Sequence, residues 1–231
     1  MSLENKIINE LKFHGADFIH FVDISHLLPS ENNGYRNAIL FGISLSPAYI
    51  REVIDTPDYV SARIKNNFDF DDDEYYIKEL KADGLSDLMA EYLKQKGYSA
   101  YSQSDKNQLA NNSFDAEHIR TILPHKTIAL LAGIGWIGKN NLLVTPEYGS
   151  AICVGCVLTD APLKTVSHTS ALPKCHNCNI CENACEPQAL KGYLWRTNTP
   201  RENIIDIHKC VTCLKCMVMC PWTQAYMKRG V

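Results

Sequence analysis

Eight cysteines in two matching runs constrain this chain more than any other feature of its 231 residues. The first run reads Cys175-x-x-Cys178-x-x-Cys181-x-x-x-Cys185. After 24 intervening residues the second reads Cys210-x-x-Cys213-x-x-Cys216-x-x-x-Cys220-Pro221. Three cysteines at this spacing wrap three corners of one iron–sulfur cube, and the fourth, three residues on, points away and ligates the other cube. The doubled run therefore predicts two [4Fe–4S] clusters with exchanged fourth ligands. Cys175, Cys178, Cys181 and Cys220 hold one; Cys210, Cys213, Cys216 and Cys185 hold the other. A zinc ribbon uses cysteine pairs and would leave the third cysteine of each run idle. Disulfides need an oxidising compartment, and the polar N-terminal stretch MSLENKIINELKFHG has no apolar signal core. Pro187 follows Cys185 by two positions instead of one, which alters the local turn and removes no ligand.

Around these cysteines the composition is ordinary, with 45% hydrophobic and 21% charged residues. No run approaches the ~18 apolar residues of a membrane span, so a reduced, cytoplasmic setting is expected. Charge is uneven. Residues 161–231 hold 9 Lys and Arg against 4 Asp and Glu, which leaves 14 against 22 in residues 1–160. An oxidised cubane with four thiolates carries about −2, so two clusters offset most of the C-terminal excess. No strongly basic face of the kind that marks a nucleic-acid footprint emerges.

Along the chain, Leu3, Ile7, Ile8 and Leu11 recur at helical spacing and Gly15 is placed to end that helix. A strand is expected over residues 17–24, a turn over 30–35 and a buried strand over 38–45. Ser46-Pro47 then opens a helix with Ser at the cap. Helix continues over 50–67, with an irregularity at Thr56-Pro57. The acidic run 69–74 lacks the glycine and distal glutamate of a calcium loop, and is expected to be a solvated helix start. A long helix spans 76–96, a strand 98–103, a polar loop 103–114 and a helix 126–132. Residues 141–145 and 150–158 predict a hairpin joined by Pro146-Glu147-Tyr148-Gly149.

The segment Gly133-Ile134-Gly135-Trp136-Ile137-Gly138-Lys139-Asn140 matches two phosphate-binding patterns and satisfies neither. G-x-G-x-x-G needs a helix behind it, and the chain reaches Pro146 first. G-x-x-x-x-G-K-[ST] needs a hydroxyl where Asn140 stands. The glycines instead suit close approach to a flat cofactor or a packed neighbour, with Trp136 against it. Cys153 and Cys156 lie in an apolar strand pattern on opposite faces, and are expected to be small buried hydrophobes. His118 and His125 flank the glycine segment and are candidate proton donors at neutral pH.

Residues 123–163, LPHKTIALLAGIGWIGKNNLLVTPEYGSAICVGCVLTDAPL, followed by the doubled cysteine run, resemble the epoxyqueuosine reductase family. NAILFGISLSPAYI (37–50) is similar to that family's N-terminal strand and helix. The resemblance implies an N-terminal α/β domain that binds cobalamin, related to the corrinoid domain of reductive dehalogenases, with residues 133–140 (Gly133, Gly135, Trp136, Gly138, Lys139 and Asn140) at the cofactor. It implies electrons drawn from an external low-potential donor of ferredoxin or flavodoxin type, and tRNA as a partner. The family's proton-donating acid falls at Ile119, with Glu117, His118 and His125 as neighbouring substitutes. Long family members continue into helical repeats that help hold tRNA, whereas this sequence has eleven residues after Cys220 and reads as a short form.

The expectation is thus an α+β chain, with an α/β cofactor and substrate domain over 1–165 and a ferredoxin-like two-cluster domain over 166–231. Its expected function is iron–sulfur, cobalamin-dependent reduction. The alternative is a non-catalytic electron carrier that docks a partner enzyme.

Overall fold

The computed structural model describes residues 1–56, 58–65, 72–169, 171–197 and 199–229, without the side chains of 64 and 65. Two compact units emerge, interleaved in sequence. One comprises Met1–Ile43, Lys78–Gly133 and Cys153–Thr169; the other comprises Ser44–Ile77, Ile134–Ile152 and Ser170–Val231. The motif-based boundary at 165/166 lies near only one of the places where the chain passes between them.

The first unit is built on a four-stranded sheet ordered Phe18–Asp23, Asn37–Ser44, Ile152–Thr159, Ala100–Ser102. Phe18–Asp23 pairs antiparallel with Asn37–Ser44, and Ala100–Ser102 antiparallel with Ile152–Thr159. The two central strands are apolar nearly throughout, as strands covered on both faces must be. Helix Leu3–Phe13, capped by Ser2, contributes Ile7 and Leu11 to the core. Helix Glu74–Gln95 runs unbroken through Gly84 and adds Ala82, Leu85, Met89, Ala90 and Leu93 beside Ile39, Phe41 and Val157. Gly155 makes that packing possible: a Cβ there would stand 2.4 Å from the Phe41 ring and 2.8 Å from the Ala82 carbonyl oxygen. Helix His125–Leu131 packs on strand Phe18–Asp23. Cys153 and Cys156 are fully buried in their strand, as expected of small hydrophobes.

In the second unit, helix Pro47–Asp55, capped by Ser46, packs on helices Lys215–Val218 and Pro221–Arg229. The Tyr226 hydroxyl donates to the Leu45 carbonyl at 2.9 Å. Asp73, expected in a solvated helix start, is buried instead. It accepts hydrogen bonds from the hydroxyls of Tyr49 and Tyr59 and from the Tyr76 amide. Residues 69–71 of the acidic run, and Pro57, lie outside the described residues.

Three expectations are corrected. Residues 143–144 do not pair with 150–158. Leu143–Val144 pairs with Trp136–Ile137, and Ile152–Thr159 joins the large sheet. The four-residue turn allows only a Thr145–Gly149 bridge, because the strand beyond it has a longer partner elsewhere. Residues 105–110 form a helix and not a loop, started by Ser104, whose side chain accepts from the Asn107 amide. Pro29–Asn32 is a short helix within the expected turn, closed by left-handed Asn33 and Gly34. Among the described residues no helix is long and apolar enough to cross a membrane.

Candidate functional site

The eight cysteines of the two runs separate around two cavities, and the grouping crosses the runs. Cys175, Cys178 and Cys181 line a cavity of about 120 Å³ together with Cys220. Cys210, Cys213 and Cys216 line a second, of about 230 Å³, together with Cys185. The electrostatics show these neighbours, with Cys181 of the first group also close enough to act on Cys216. Burial pushes the Cys181 thiol up to about 11, and Cys175, Cys220 and Cys178 push it further in the same direction. Burial pushes Cys216 up to about 12, with Cys213, Cys181, Cys210 and Cys185 adding to it. None of the ten cysteines is in a disulfide. Among the described residues no three His, Cys, Asp or Glu side chains close around a single metal ion; the thiols of each group spread around their cavity.

Local backbone explains how short, polar sequence holds these positions. Thr212 (φ 51°) and Leu214 (φ 64°) take left-handed backbone on either side of Cys213, and His176 (φ 41°) does so beside Cys175. Such conformations are strained for non-glycine residues. Left-handed residues are also a component of the concave backbone nests found around phosphates and iron–sulfur clusters. The Ala189 amide donates to the Cys185 sulfur at 3.3 Å. Helix Pro221–Arg229 starts directly after Cys220, and the amides of Trp222 and Thr223 pull its thiol down against the larger upward push of burial. Four crowded thiols are poor acids by themselves. Bound iron inverts that logic by ionising them. The donor sets, the left-handed residues beside them and the amide-to-sulfur bonds fit two [4Fe–4S] clusters.

Residues 133–140 sit at this site in a way the sequence did not show. Lys139 Nζ donates to the Cys178 carbonyl at 2.9 Å. Asn140 is buried and lines both cavities; its Nδ2 donates to Ser150 Oγ at 3.2 Å and to the Cys216 carbonyl at 3.3 Å. Trp136 is buried against Val144, Cys220 and Trp222, with the two indoles edge to face at 4.9 Å. At Gly135 and Gly138 the side a Cβ would occupy is filled by the chain. A Cβ on Gly135 would stand 2.2 Å from the Val144 carbonyl oxygen, and one on Gly138 would stand 2.5 Å from Asn140 Oδ1. The packed neighbour is therefore the chain itself. Gly133 belongs to the first unit, beside His168.

The two histidines do not join the cysteines. His118 lies exposed next to the small hairpin Phe114–Asp115/Arg120–Thr121, with Nδ1 2.8 Å from the Asp115 carboxylate. His125 opens helix His125–Leu131. Burial holds its ring below the ordinary value, and its Nε2 is buried without a hydrogen-bond partner. A ring kept neutral by burial is a weak acid at pH 7. Sequence reasoning missed Lys174, Trp222, Ser150 and Thr223. The first two were legible only as neighbours of Cys175 and Cys220, while Ser150 and Thr223 carry no local signal: the Ser150 amide donates to Thr223 Oγ1 at 3.0 Å across 73 positions.

No protein-family model matches the chain. Individual relatives do. An epoxyqueuosine reductase of Listeria monocytogenes is 34% identical over 113 residues, 43% of this chain and 29% of that protein. One of Synechococcus sp. (strain RCC307) is 32% identical over 114 residues, 44% of this chain and 35% of that protein. The chain is thus similar in sequence to epoxyqueuosine reductases over 43–44% of its own length. It spans less than half the length of those curated relatives. Among solved structures, epoxyqueuosine reductase with an epoxyqueuosine-modified tRNA stem loop matches with TM-score 0.56 and 17% identity, over 97% of this chain and 66% of that one. A catabolic reductive dehalogenase matches with TM-score 0.62 and 19% identity, over 94% of this chain and 31% of that one. A reductive dehalogenase structure described for B12-dependent dehalogenation matches with TM-score 0.60 and 20% identity, over 90% of this chain and 30% of that one. The chain therefore shares the mixed α/β fold of both groups.

Proposed function

We propose that this chain is an iron–sulfur reductase of the epoxyqueuosine reductase type. Cys175, Cys178, Cys181 and Cys220 would hold one [4Fe–4S] cluster and Cys185, Cys210, Cys213 and Cys216 the other; bound there, the clusters would supply single-electron steps between an external low-potential donor, of ferredoxin or flavodoxin kind, and a cobalamin. The observation that carries the reading is the exchange of fourth ligands, with Cys220 at the first run's cavity and Cys185 at the second's. A zinc ribbon has no use for that exchange; two adjacent cubes require it.

The chain's own residues hold and bias the clusters. Lys139 fixes the Cys178 backbone, Asn140 ties the Cys216 backbone to Ser150, and the first amides of helix Pro221–Arg229 face the Cys220 sulfur. Cobalamin, when bound, supplies low-valent cobalt chemistry for a two-electron reduction, which no side chain can provide. Its support here is the likeness in fold to a dehalogenase described as B12-dependent, not the glycines of residues 133–140. The relatives' names make the epoxide of an epoxyqueuosine-modified tRNA stem loop the first substrate to try. Two electrons and two protons convert an epoxide to an alkene and water.

The test is anaerobic reconstitution of the full chain. About eight irons per chain are expected from two cubes, together with cobalamin retained through gel filtration and seen by absorbance and mass spectrometry. Turnover of the tRNA stem loop with a chemical reductant should follow. Eight irons without cobalamin or turnover would leave an electron carrier. Zinc in place of iron would remove the reading altogether.

A further inference from the structure

We infer that the cluster held by Cys175, Cys178, Cys181 and Cys220 has the higher reduction potential of the two, so that electrons arrive at the Cys185, Cys210, Cys213 and Cys216 cluster and leave from its neighbour. The inference rests on the two-cluster reading above and adds to it a direction and the residues that set it.

The two cavities are alike in thiols and differ in charge. Lys139 and Lys174 both line the first. Lys139 is half-buried and held by the Cys178 carbonyl at 2.9 Å. Lys174 Nζ lies 5.4 Å from the Trp136 ring and 5.9 Å from that of Trp222, both in the apolar group around Cys220. Among the described residues no charged side chain lines the second cavity, whose wall includes Leu142, Ile152, Leu190, Ile205, Ile207 and Met217. Among the cations next to its lining residues in sequence, Lys215 is bound to the carboxylates of both Glu186 and Asp58, two negative charges against one positive, and Lys209 lies 4.0 Å from the Asp206 carboxylate.

Reduction adds one negative charge to a cluster that already carries about −2. Ammonium groups beside the first cluster favour that charge, and an apolar wall without cations disfavours it at the second. Water at Cys210, which is exposed, acts the other way, but on one corner of four. A half-buried ammonium is screened less than a surface one, so Lys139 dominates. The same exposure makes Cys210 the corner that an external donor can approach, consistent with electrons arriving there.

Lys139→Gln and Lys174→Gln keep a hydrogen-bonding side chain and remove the charge. The full chain and each variant are reconstituted anaerobically, assayed for iron, then reduced stepwise and followed by EPR. Wild type should show two reduction waves. Each variant should keep about eight irons and shift the upper wave downward while the lower stays. At a fixed potential the ratio of reduced to oxidised cluster should change by about tenfold, which is 59 mV for one electron. Lys139→Arg should restore the wild-type upper wave, and Lys215→Gln should shift the lower wave down. Movement of the lower wave alone in Lys139→Gln and Lys174→Gln, or of neither wave, overturns the inference. Should Lys139→Gln lose iron, the exposed Lys174→Gln decides by the same readout. A wild type with fewer irons or a single wave instead fails the two-cluster reading, a different result from a shift in the wrong wave.

Discussion

Asn140 shows how much one side chain does here. Its Nδ2 donates to Ser150 Oγ and to the Cys216 carbonyl, its Oδ1 accepts from the Leu142 amide, and it lines both cysteine cavities. Asn140→Ala strands the part-buried Cys216 carbonyl and Leu142 amide, at a cost of about 1 kcal/mol. A lower denaturant midpoint and faster iron loss to a chelator should both follow; unchanged iron release would count against its role between the cavities. Gly135→Val is expected to be worse, by ~3 kcal/mol or more, because its Cβ meets backbone that cannot swing away. It should deform the Trp136–Ile137/Leu143–Val144 pair and lose the iron of the Cys175 cluster, measured as about four irons remaining from two cubes. The sequence marked both positions as special but not why. A glycine between hydrophobic residues and an asparagine after lysine signal close approach; only the folded chain names what approaches. Ile119 is the converse case. It carries φ 48°, a left-handed backbone that a β-branched residue adopts at a cost. Ile119→Asn should raise stability by up to ~1 kcal/mol, seen as a higher thermal midpoint.

At the scale of elements, the legible pieces were those whose partners lie nearby in sequence. Helix Leu3–Phe13 with its Ser2 cap, strand Asn37–Ser44 and helix Pro47–Asp55 with its Ser46 cap are all set by local chemistry. The hairpin expected across residues 146–149 failed because strand pairing is decided at long range. Ile152–Thr159 is apolar at nearly every position, the mark of a central strand, and a central strand needs neighbours on both sides. Helix Glu74–Gln95 carries a pH dependence that no pattern reveals. Burial pushes Glu79 up to about 7, against a hydrogen bond with Cys153, and Asp83 up to about 6. A carboxyl whose folded pKa exceeds its unfolded value contributes stability below the unfolded pKa, and that contribution is lost as pH rises through the folded one. The first unit should therefore lose stability between about pH 4.5 and pH 7 on account of Glu79. Glu79→Gln should be more stable than wild type at pH 8, with the gap narrowing at pH 5, in denaturant titrations followed by circular dichroism. A gap that widens on acidification would reverse the assignment.

For the whole molecule, a split into two parts at 165/166 was expected from the sequence, but the interleaving of the two compact units was not legible there. Ser44–Ile77 and Ile134–Ile152 belong with the cysteine segment, and nothing in their composition says so; helix Pro47–Asp55 simply presents a face that fits Lys215–Val218 and Pro221–Arg229. The exchange of fourth ligands ties the two runs together in the same long-range way, and it can be tested as a pattern. Cys185→Ser and Cys213→Ser lie in different runs yet at the same cavity, while Cys178→Ser and Cys220→Ser share the other. Each variant should lose one cluster and, because metal binding and folding are coupled, part of the second unit's stability. The cluster that survives should be the same within a cavity and different between cavities. EPR of the reduced variants should thus sort Cys185→Ser with Cys213→Ser, and Cys178→Ser with Cys220→Ser. Were Cys185→Ser to share its surviving spectrum with Cys178→Ser, each run would hold its own metal, and two cubes joined by crossed ligands could not be the centre of this protein.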